Sequence, residues 1–412
     1  MGKTMRSYFD AMPSGEVAQF YIHSEVPTDN SICRNYFRFT DKDAIKSLNL
    51  MKIYGRIFNE EDVLADRTTS RTDKGIVGNI YQLGRKRSAL IYTARNLLWK
   101  MSCWDTPHLW KWVENFDPDV VFFASGDYGF MYDIARKIAE HVNKPLVVAC
   151  VDDYYLHNRN SSSLLGRFSH KSFLKTVHKT MARADRIFVI NEAMKKEYEK
   201  LFGKSCCVLH TAASAVKRPE PEFCTGQISY LGNLSLGRAE QLACIGRSLK
   251  KIGGYVDVYS GERNPDFLKD MTEENGIHFH GAVSAEDVLK IMASSMAVIH
   301  TESFEPRYQA MTRYSVSTKI ADSLMHGPCI IAYGPEEIAS IDYLKENQAA
   351  YVMSAPSDLE TGLKVILSDE KLREKIVGNA RALAAKNHDP LINSVKVRKW
   401  LEEVCKEWCD NE

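Results

Sequence analysis

Charged side chains between residues 275 and 332 fall where apolar runs end and helical stretches begin, which is where a ligand would meet them. Met296-Ala297-Val298-Ile299-His300-Thr301-Glu302 is an apolar run closed by a carboxylate. Ser317-Thr318-Lys319-Ile320-Ala321-Asp322 opens a helical stretch with two hydroxyls, a cation and an acid, and Gly327-Pro328 stops it before Cys329-Ile330-Ile331-Ala332. Upstream, Ile277-His278-Phe279-His280-Gly281 leads through Ser284-Ala285-Glu286-Asp287 into another helix start. A short apolar strand followed by a helix with a polar start is the unit of a parallel sheet. Ligands of such sheets lie beyond the carboxyl ends of the strands. A cation beside the free N–H groups of a helix start suits a phosphate, so Ser317, Thr318 and Lys319 mark an anion site. Gly232 and Gly281 each close an apolar run; they either let a ligand approach backbone N–H groups or make plain turns.

Positioning these groups requires a regular scaffold, and the rest of the chain supplies its pattern. Apolar runs recur at Val17–Ile22, Val120–Ala124, Leu146–Val151, Arg186–Ile190 and Cys207–His210. They continue at Ile228–Leu231, Val256–Tyr259, Ile277–His280, Ala297–His300, Cys329–Ala332 and Ala350–Met353. Helical stretches fall between them, at Tyr128–His141, Asn191–Phe202, Ala239–Ile252 and Glu286–Ala293. This alternation predicts an α/β chain of parallel sheets flanked by helices. With 412 residues, two domains are expected. The pattern pauses at Lys217-Arg218-Pro219-Glu220-Pro221-Glu222, a stiff linker by composition. The expected division is 1–213, a linker at 214–225, 226–388, and a last helix within 389–412. Residues 1–213 carry 31 Lys and Arg against 24 Asp and Glu, and the remainder 23 against 29, so the two halves are expected to face different partners. Gly2-Lys3-Thr4 leads into a helix with almost no chain before it, which reads as a doubly wound domain lacking its first strand.

In order along the chain, Tyr230-Leu231-Gly232-Asn233 with Arg238, Phe279–Ser284, Val298–Glu302 and Ser317–Ala332 resemble the donor half of a known enzyme family. That family is the retaining glycosyltransferases of the GT-B fold, family 4 type. The likeness covers residues 226–385 by motif and the earlier half by architecture alone. It implies two Rossmann-like domains, with the C-terminal helix returning to the N-terminal domain. It also implies a hexosyltransferase of polysaccharide biosynthesis that takes a nucleotide-diphosphate-sugar, a UDP-sugar above all, and needs no cofactor and no metal. The donor residues it implies are Gly232, Asn233, Arg238, Gly281, Val283, Glu302, Ser317, Thr318, Lys319 and Asp322. Arg238 and Lys319 would take the negative charge of the leaving diphosphate. Asp322 would accept the two ribose hydroxyls, since a carboxylate has two acceptor oxygens; a local pair with Lys319 is the plainer alternative. Glu302 would face the donor sugar. The family separates its two acids by seven residues, whereas here Phe304–Val316 intervenes before Asp322 and offers Arg307, Tyr308, Arg313 and Tyr314 as further site residues. A nucleotide-sugar epimerase and a non-catalytic partner subunit of another transferase are the rival readings.

In the first half, Val147–Val151 ends on Asp152-Asp153-Tyr154, and Ser125-Gly126-Asp127 closes the preceding run. By resemblance, strand ends facing the interdomain cleft hold the acceptor, a glycan or lipid-linked glycan. Asp153 would then touch the reacting hydroxyl, or else serve only as a loop ligand. Residues 154–184 contain no acid, and Arg167, Lys171, Lys175, Lys179 and Arg183 recur at every fourth position after Leu164, Leu165 and Phe168. On a helix this is a cationic stripe suited to an anionic membrane surface or to a pyrophosphate-linked acceptor. Nucleic acid fits poorly, because no stacking aromatics interleave the cations. The ten Cys show no metal-ligand spacing and read as buried thiols of a reducing compartment. No apolar run approaches the ~20 residues of a membrane span, and the first ten residues lack signal-peptide order. A cytoplasmic protein is expected, associated at most with the inner membrane face.

Overall fold

The computed structural model describes residues 3–25, 27, 30–48, 54–58, 89–156, 163–215 and 226–410; the linker core at Lys217–Glu222 and Gly2 lie outside them. The chain forms two compact units, one of residues 1–189, 195–208 and 394–412, the other of 190–194 and 209–393.

Unit 1 begins with α1 (Lys3–Phe9), β1 (Val17–Tyr21), β2 (Cys33–Arg38), α2 (Asp41–Ser47) and β3 (Arg56–Phe58). It continues through α3 (Ala89–Met101), α4 (Pro107–Phe116), β4 (Val121–Ala124), α5 (Gly129–Val142) and β5 (Leu146–Ala149). Then come α6 (Leu164–Arg183), β6 (Arg186–Val189), α7 (Glu192–Phe202), which belongs to this unit from Lys195 onward, and β7 (Cys206–Val208). Strands β4-β5-β6-β7 form one parallel sheet. The expectation of a single parallel sheet is corrected here. Strands β1-β2-β3 form a sheet of their own, in which β1 pairs β2 parallel and β2 pairs β3 antiparallel. Strand β2 reads CRNYFR; its two arginines and an asparagine hide the apolar alternation, although Tyr36 and Phe37 are fully buried. Aromatic packing holds this end together. Trp99 stacks on Phe130 with ring centroids 4.4 Å apart, and its Nε1 donates to Asp41 at 2.6 Å. The last helix, Pro390–Asp410, contributes residues 394 onward to unit 1, as expected. Trp400 packs on Phe188, Glu407 pairs with Arg186 at 2.7 Å, and Arg398 donates to the Ala11 carbonyl.

Unit 2 contains β8 (Ile228–Leu231), α8 (Arg238–Lys250), β9 (Val256–Tyr259), β10 (Ile277–Gly281), α9 (Ala285–Ser294) and β11 (Ala297–Thr301). They are followed by α10 (Pro306–Thr312), α11 (Thr318–His326), β12 (Cys329–Tyr333), α12 (Ala339–Glu346), β13 (Tyr351–Met353), α13 (Leu359–Ser368) and α14 (Glu370–Asn387). Six strands pair in parallel in the order β10-β9-β8-β11-β12-β13. Alternation along β12 explains why both faces are covered. Ile331 and Tyr333 pack with Leu242 and Leu249 of α8 and Leu363 of α13, while Ile330 and Ala332 pack with Ile320 and Leu324 of α11. Helix starts follow the polar residues of the sequence. The Ser284 hydroxyl accepts from Asp287 N–H at 3.1 Å to cap α9, and Ser317 caps α11 through Lys319 N–H.

Candidate functional site

Numbered within unit 2, the strand order is 3-2-1-4-5-6, so the winding direction reverses between β8 and β11. A doubly wound sheet opens a crevice at that switch point, outside the carboxyl ends of its strands. The sequence places Gly232 and Asn233 beyond β8 and Glu302 beyond β11, on the two sides of this crevice.

Arg238, the first residue of α8, bridges it. One guanidinium nitrogen donates to both Glu302 oxygens at 2.8 and 3.0 Å, another donates to Asn233 Oδ1 at 2.9 Å, and Nε donates to the Thr301 carbonyl at 3.3 Å. The residue before it, Gly237, has φ +77°, and a Cβ there would lie 2.5 Å from Ser303 Oγ and 2.7 Å from a Tyr308 ring carbon. Glycine therefore lets the start of α8 close on the loop after β11. Glu302 is 2% exposed. Burial raises its pKa, and the Arg238 charge and hydrogen bonds oppose that rise. A carboxylate so deep is tolerated because it is paired and hydrogen-bonded.

Lys319 stands in the first turn of α11 and reaches solvent. Partial desolvation and then the Arg238 charge lower its pKa, which places the two cations within each other's field. His300 joins them and was missed from sequence. It lies two residues before Glu302 on β11, hence on the same face of the strand. Its Nε2 is 2.9 Å from Ser340 Oγ and 3.9 Å from Glu302. Burial, with the charges of Arg238 and Lys319, lowers its pKa to about 3, so the imidazole is neutral near neutral pH. The period-two spacing to Glu302 was the available signal.

The remaining donor-side residues divide. Gly281 (φ +76°) ends β10 and accepts from Ser260 N–H at 2.8 Å, so the exits of β9 and β10 are tied at the same edge; Val283 follows, half-buried. Ser317 uses its hydroxyl as the α11 cap, and Thr318 is exposed on the first turn. Asp322 turns toward the chain entering unit 2, and its Oδ1 accepts from Ser214 N–H at 2.7 Å. The intervening segment folds into α10. There Arg307 pairs with Glu305 and lies over Tyr308, and Arg313 lies over Tyr314. Of the four, Tyr308 is the one the structure brings to the crevice, against Gly237.

In unit 1, β4 and β5 pair in register, Ala124 opposite Ala149, so Gly126 and Asp127 emerge beside Asp152, Asp153 and Tyr154 at one edge of the sheet. Asp153 faces inward. It is 8% exposed and accepts from Tyr155 N–H, Leu156 N–H and the Tyr198 hydroxyl, so its carboxylate orders its own loop. Burial raises its pKa against those hydrogen bonds. Asp152 and Tyr154 are more accessible. The stripe of cations lies on one uninterrupted helix, α6. Arg167, Lys171, Lys175 and Lys179 are exposed, whereas Arg183 pairs with Asp185 at 2.7 Å. The cysteines correct the expectation of burial in part: Cys33, Cys150, Cys206 and Cys329 are buried, and Cys103 and Cys409 are exposed. Among the described residues no helix is long and apolar enough to cross a membrane, and no group of three or more His, Cys, Asp or Glu is placed to hold a metal ion.

Residues 238–391 match a family model described as glycosyl transferase-like. No curated protein matches the chain by sequence. Among solved structures the chain is similar to Anabaena HepE in complex with UDP, with 13% identity, a TM-score of 0.57, and coverage of 72% of this chain and 82% of that one. It is similar to sucrose-phosphate synthase from Thermosynechococcus elongatus, with 10% identity, a TM-score of 0.53, and coverage of 72% and 79%. It is also similar to a glycosyltransferase from Rickettsia africae, with 15% identity, a TM-score of 0.51, and coverage of 79% and 83%. The fold is that of the two-domain GT-B glycosyltransferases.

Proposed function

We propose that this chain, whose residues 238–391 match a glycosyl transferase-like family model, moves a hexosyl group from a nucleotide-diphosphate-sugar to an acceptor hydroxyl with retained configuration and without a metal. The observation that carries this reading is the Arg238–Glu302 pair across the switch point of unit 2, with Lys319 within its field. Breaking the bond between the anomeric carbon and phosphate leaves negative charge on the diphosphate. Fixed cations suit that charge. In this reading Glu302 holds Arg238 in position and lines the sugar side of the crevice. The acceptor oxygen bonds to the anomeric carbon and its proton passes to the departing phosphate, so no side-chain base is required. UDP is the first nucleotide to test, because HepE, similar in fold, holds it.

The acceptor, a glycan or lipid-linked glycan, belongs in this reading to unit 1, at Gly126, Asp127, Asp152 and Tyr154, with Asp153 ordering their loop. The exposed cations of α6 fit an anionic membrane surface there. A panel of nucleotide-sugars tests the proposal. One of them should raise the melting temperature, since a ligand bound by the folded state stabilises it, and the chain alone should hydrolyse that donor slowly. Donor binding without hydrolysis or transfer would instead make this a partner subunit, and no binding across the panel would overturn the donor site.

Asp322→Asn should weaken donor binding severalfold with little change in turnover at saturating donor. Asparagine keeps an oxygen for Ser214 N–H but loses the charge and one acceptor that would hold the ribose hydroxyls. A contact equal in ground and transition states moves KM rather than kcat. Unchanged donor affinity would remove Asp322 from the ribose site.

A further inference from the structure

Helix α3 is apolar on two opposite sides. One side carries Trp99, fully buried in the unit 1 core. At 3.6 residues per turn, Leu90, Ala94, Leu97 and Met101 all lie within about 60° of one another on the opposite side. Leu90, Leu97 and Met101 are 68%, 54% and 61% exposed. One apolar stripe suffices to bury a helix against a core, so a second stripe on the opposite side calls for a second partner. Helix α6 packs against α3 and has the same character at its start. Leu164 and Phe168, 83% and 73% exposed, share its outward face with Lys171 and Lys175, again within about 60°.

The charge on these two helices names the partner's chemistry. Their 33 residues contain seven Lys and Arg and no Asp or Glu. Lys100, Arg167, Lys171, Lys175 and Lys179 are all exposed. Exposed leucines and a phenylalanine among unopposed cations match the boundary of an anionic bilayer, where acyl chains receive the apolar side chains and headgroups the cations. A protein partner of acidic surface would pair the cations but would leave three large apolar residues of α3 unexplained.

We infer that α3 and α6 together form a membrane-docking face, in which α3 inserts its Leu90–Leu97–Met101 stripe at the headgroup boundary and α6 supplies the cations. This rests on the anionic-surface reading of α6 and adds an inserting element that the sequence stripe did not contain. Such a face would attach the chain with no need of a spanning helix, and it would bring a lipid-linked acceptor to unit 1 by confinement to the surface.

The test uses the full chain with phosphatidylcholine vesicles, with and without phosphatidylglycerol, read by co-sedimentation. The parent should bind the anionic vesicles, and salt should weaken but not abolish binding, because screening acts on the charges and not on inserted apolar groups. Leu90→Glu with Leu97→Glu should weaken binding about tenfold, with melting temperature and donor hydrolysis unchanged. Leu97→Trp should strengthen it, since tryptophan favours the bilayer interface. If Lys171→Gln with Lys175→Gln weakens binding while both α3 variants bind as the parent does, α6 alone touches the surface and the inference fails. Absence of parent binding at low salt overturns the membrane reading of both helices. A dimer in sedimentation velocity that dissociates in the Leu90→Glu, Leu97→Glu variant, without vesicle binding, would assign the face to a second copy of the chain and likewise overturn it. None of these failures touches the donor site, which is read separately by donor hydrolysis.

Discussion

Lys319→Ala is expected to lower sugar transfer about 10²–10³-fold while leaving the melting temperature close to that of the parent. Its ammonium stands on the first turn of α11 and reaches solvent, so the substitution leaves no buried group unpaired. Lysine and alanine are both good helix formers, and the turn stays capped by Ser317. What is lost is a positive charge held beside Arg238 at the mouth of the crevice, where a departing diphosphate would gather negative charge. Losing an interaction that is stronger in the transition state than in the ground state should lower kcat and kcat/KM together. Single-turnover transfer at saturating donor, with a melting curve alongside, measures this. Near-parental turnover would place the diphosphate elsewhere.

Arg238→Ala should be damaging in a second way. It removes the partner of Glu302, which is 2% exposed, and leaves a buried carboxylate without its counter-charge. Breaking a buried pair from one side costs about 3–5 kcal/mol. The variant should therefore be destabilised as well as inactive, unlike Lys319→Ala. The sign of its pH dependence follows from linkage. Burial already raises the Glu302 pKa and Arg238 opposes that rise, so without Arg238 the folded-state value climbs further above the unfolded one. The folded variant then holds a proton that the unfolded chain has released, and stability grows as pH falls. The variant should be less impaired near about pH 5 than near about pH 8. Glu302→Gln added to Arg238→Ala should recover part of the loss and flatten that dependence. Denaturant titrations at the two pH values provide the check. A stability loss below about 1 kcal/mol with no pH dependence would mean that the pair is a surface contact.

Much of unit 2 was legible because its signals are local. Strand β12 is a continuous apolar run, α11 opens on Ser317 and stops at Gly327, and each reads correctly from a window of ten residues. Unit 1 was harder. Strand β2 carries Arg34, Asn35 and Arg38 among its buried aromatics, and β3 has three residues, too few for a periodicity to register. The stripe of cations on α6 was visible as a four-residue repeat, but its apolar companion on α3 was not. Leu90, Leu97 and Met101 look like ordinary core positions until Trp99 is found buried on the other side.

The sequence by itself determined the α/β class, the succession of the six strands of unit 2, and the placement of Gly232, Arg238, Glu302 and Lys319 at strand ends and helix starts. Those features depend on side-chain period, capping and turn chemistry, all expressed within a few residues. Only the tertiary structure decided which ends meet. The order β10-β9-β8-β11-β12-β13 brings residues 64 apart in sequence, Arg238 and Glu302, to 2.8 Å. It places His300 beside them, commits Asp153 to its own loop and turns Asp322 toward Ser214. Each of these contacts depends on strand order and burial, and buried charges accept whichever partner the packing delivers, because an unpaired one costs more than the fold can spare.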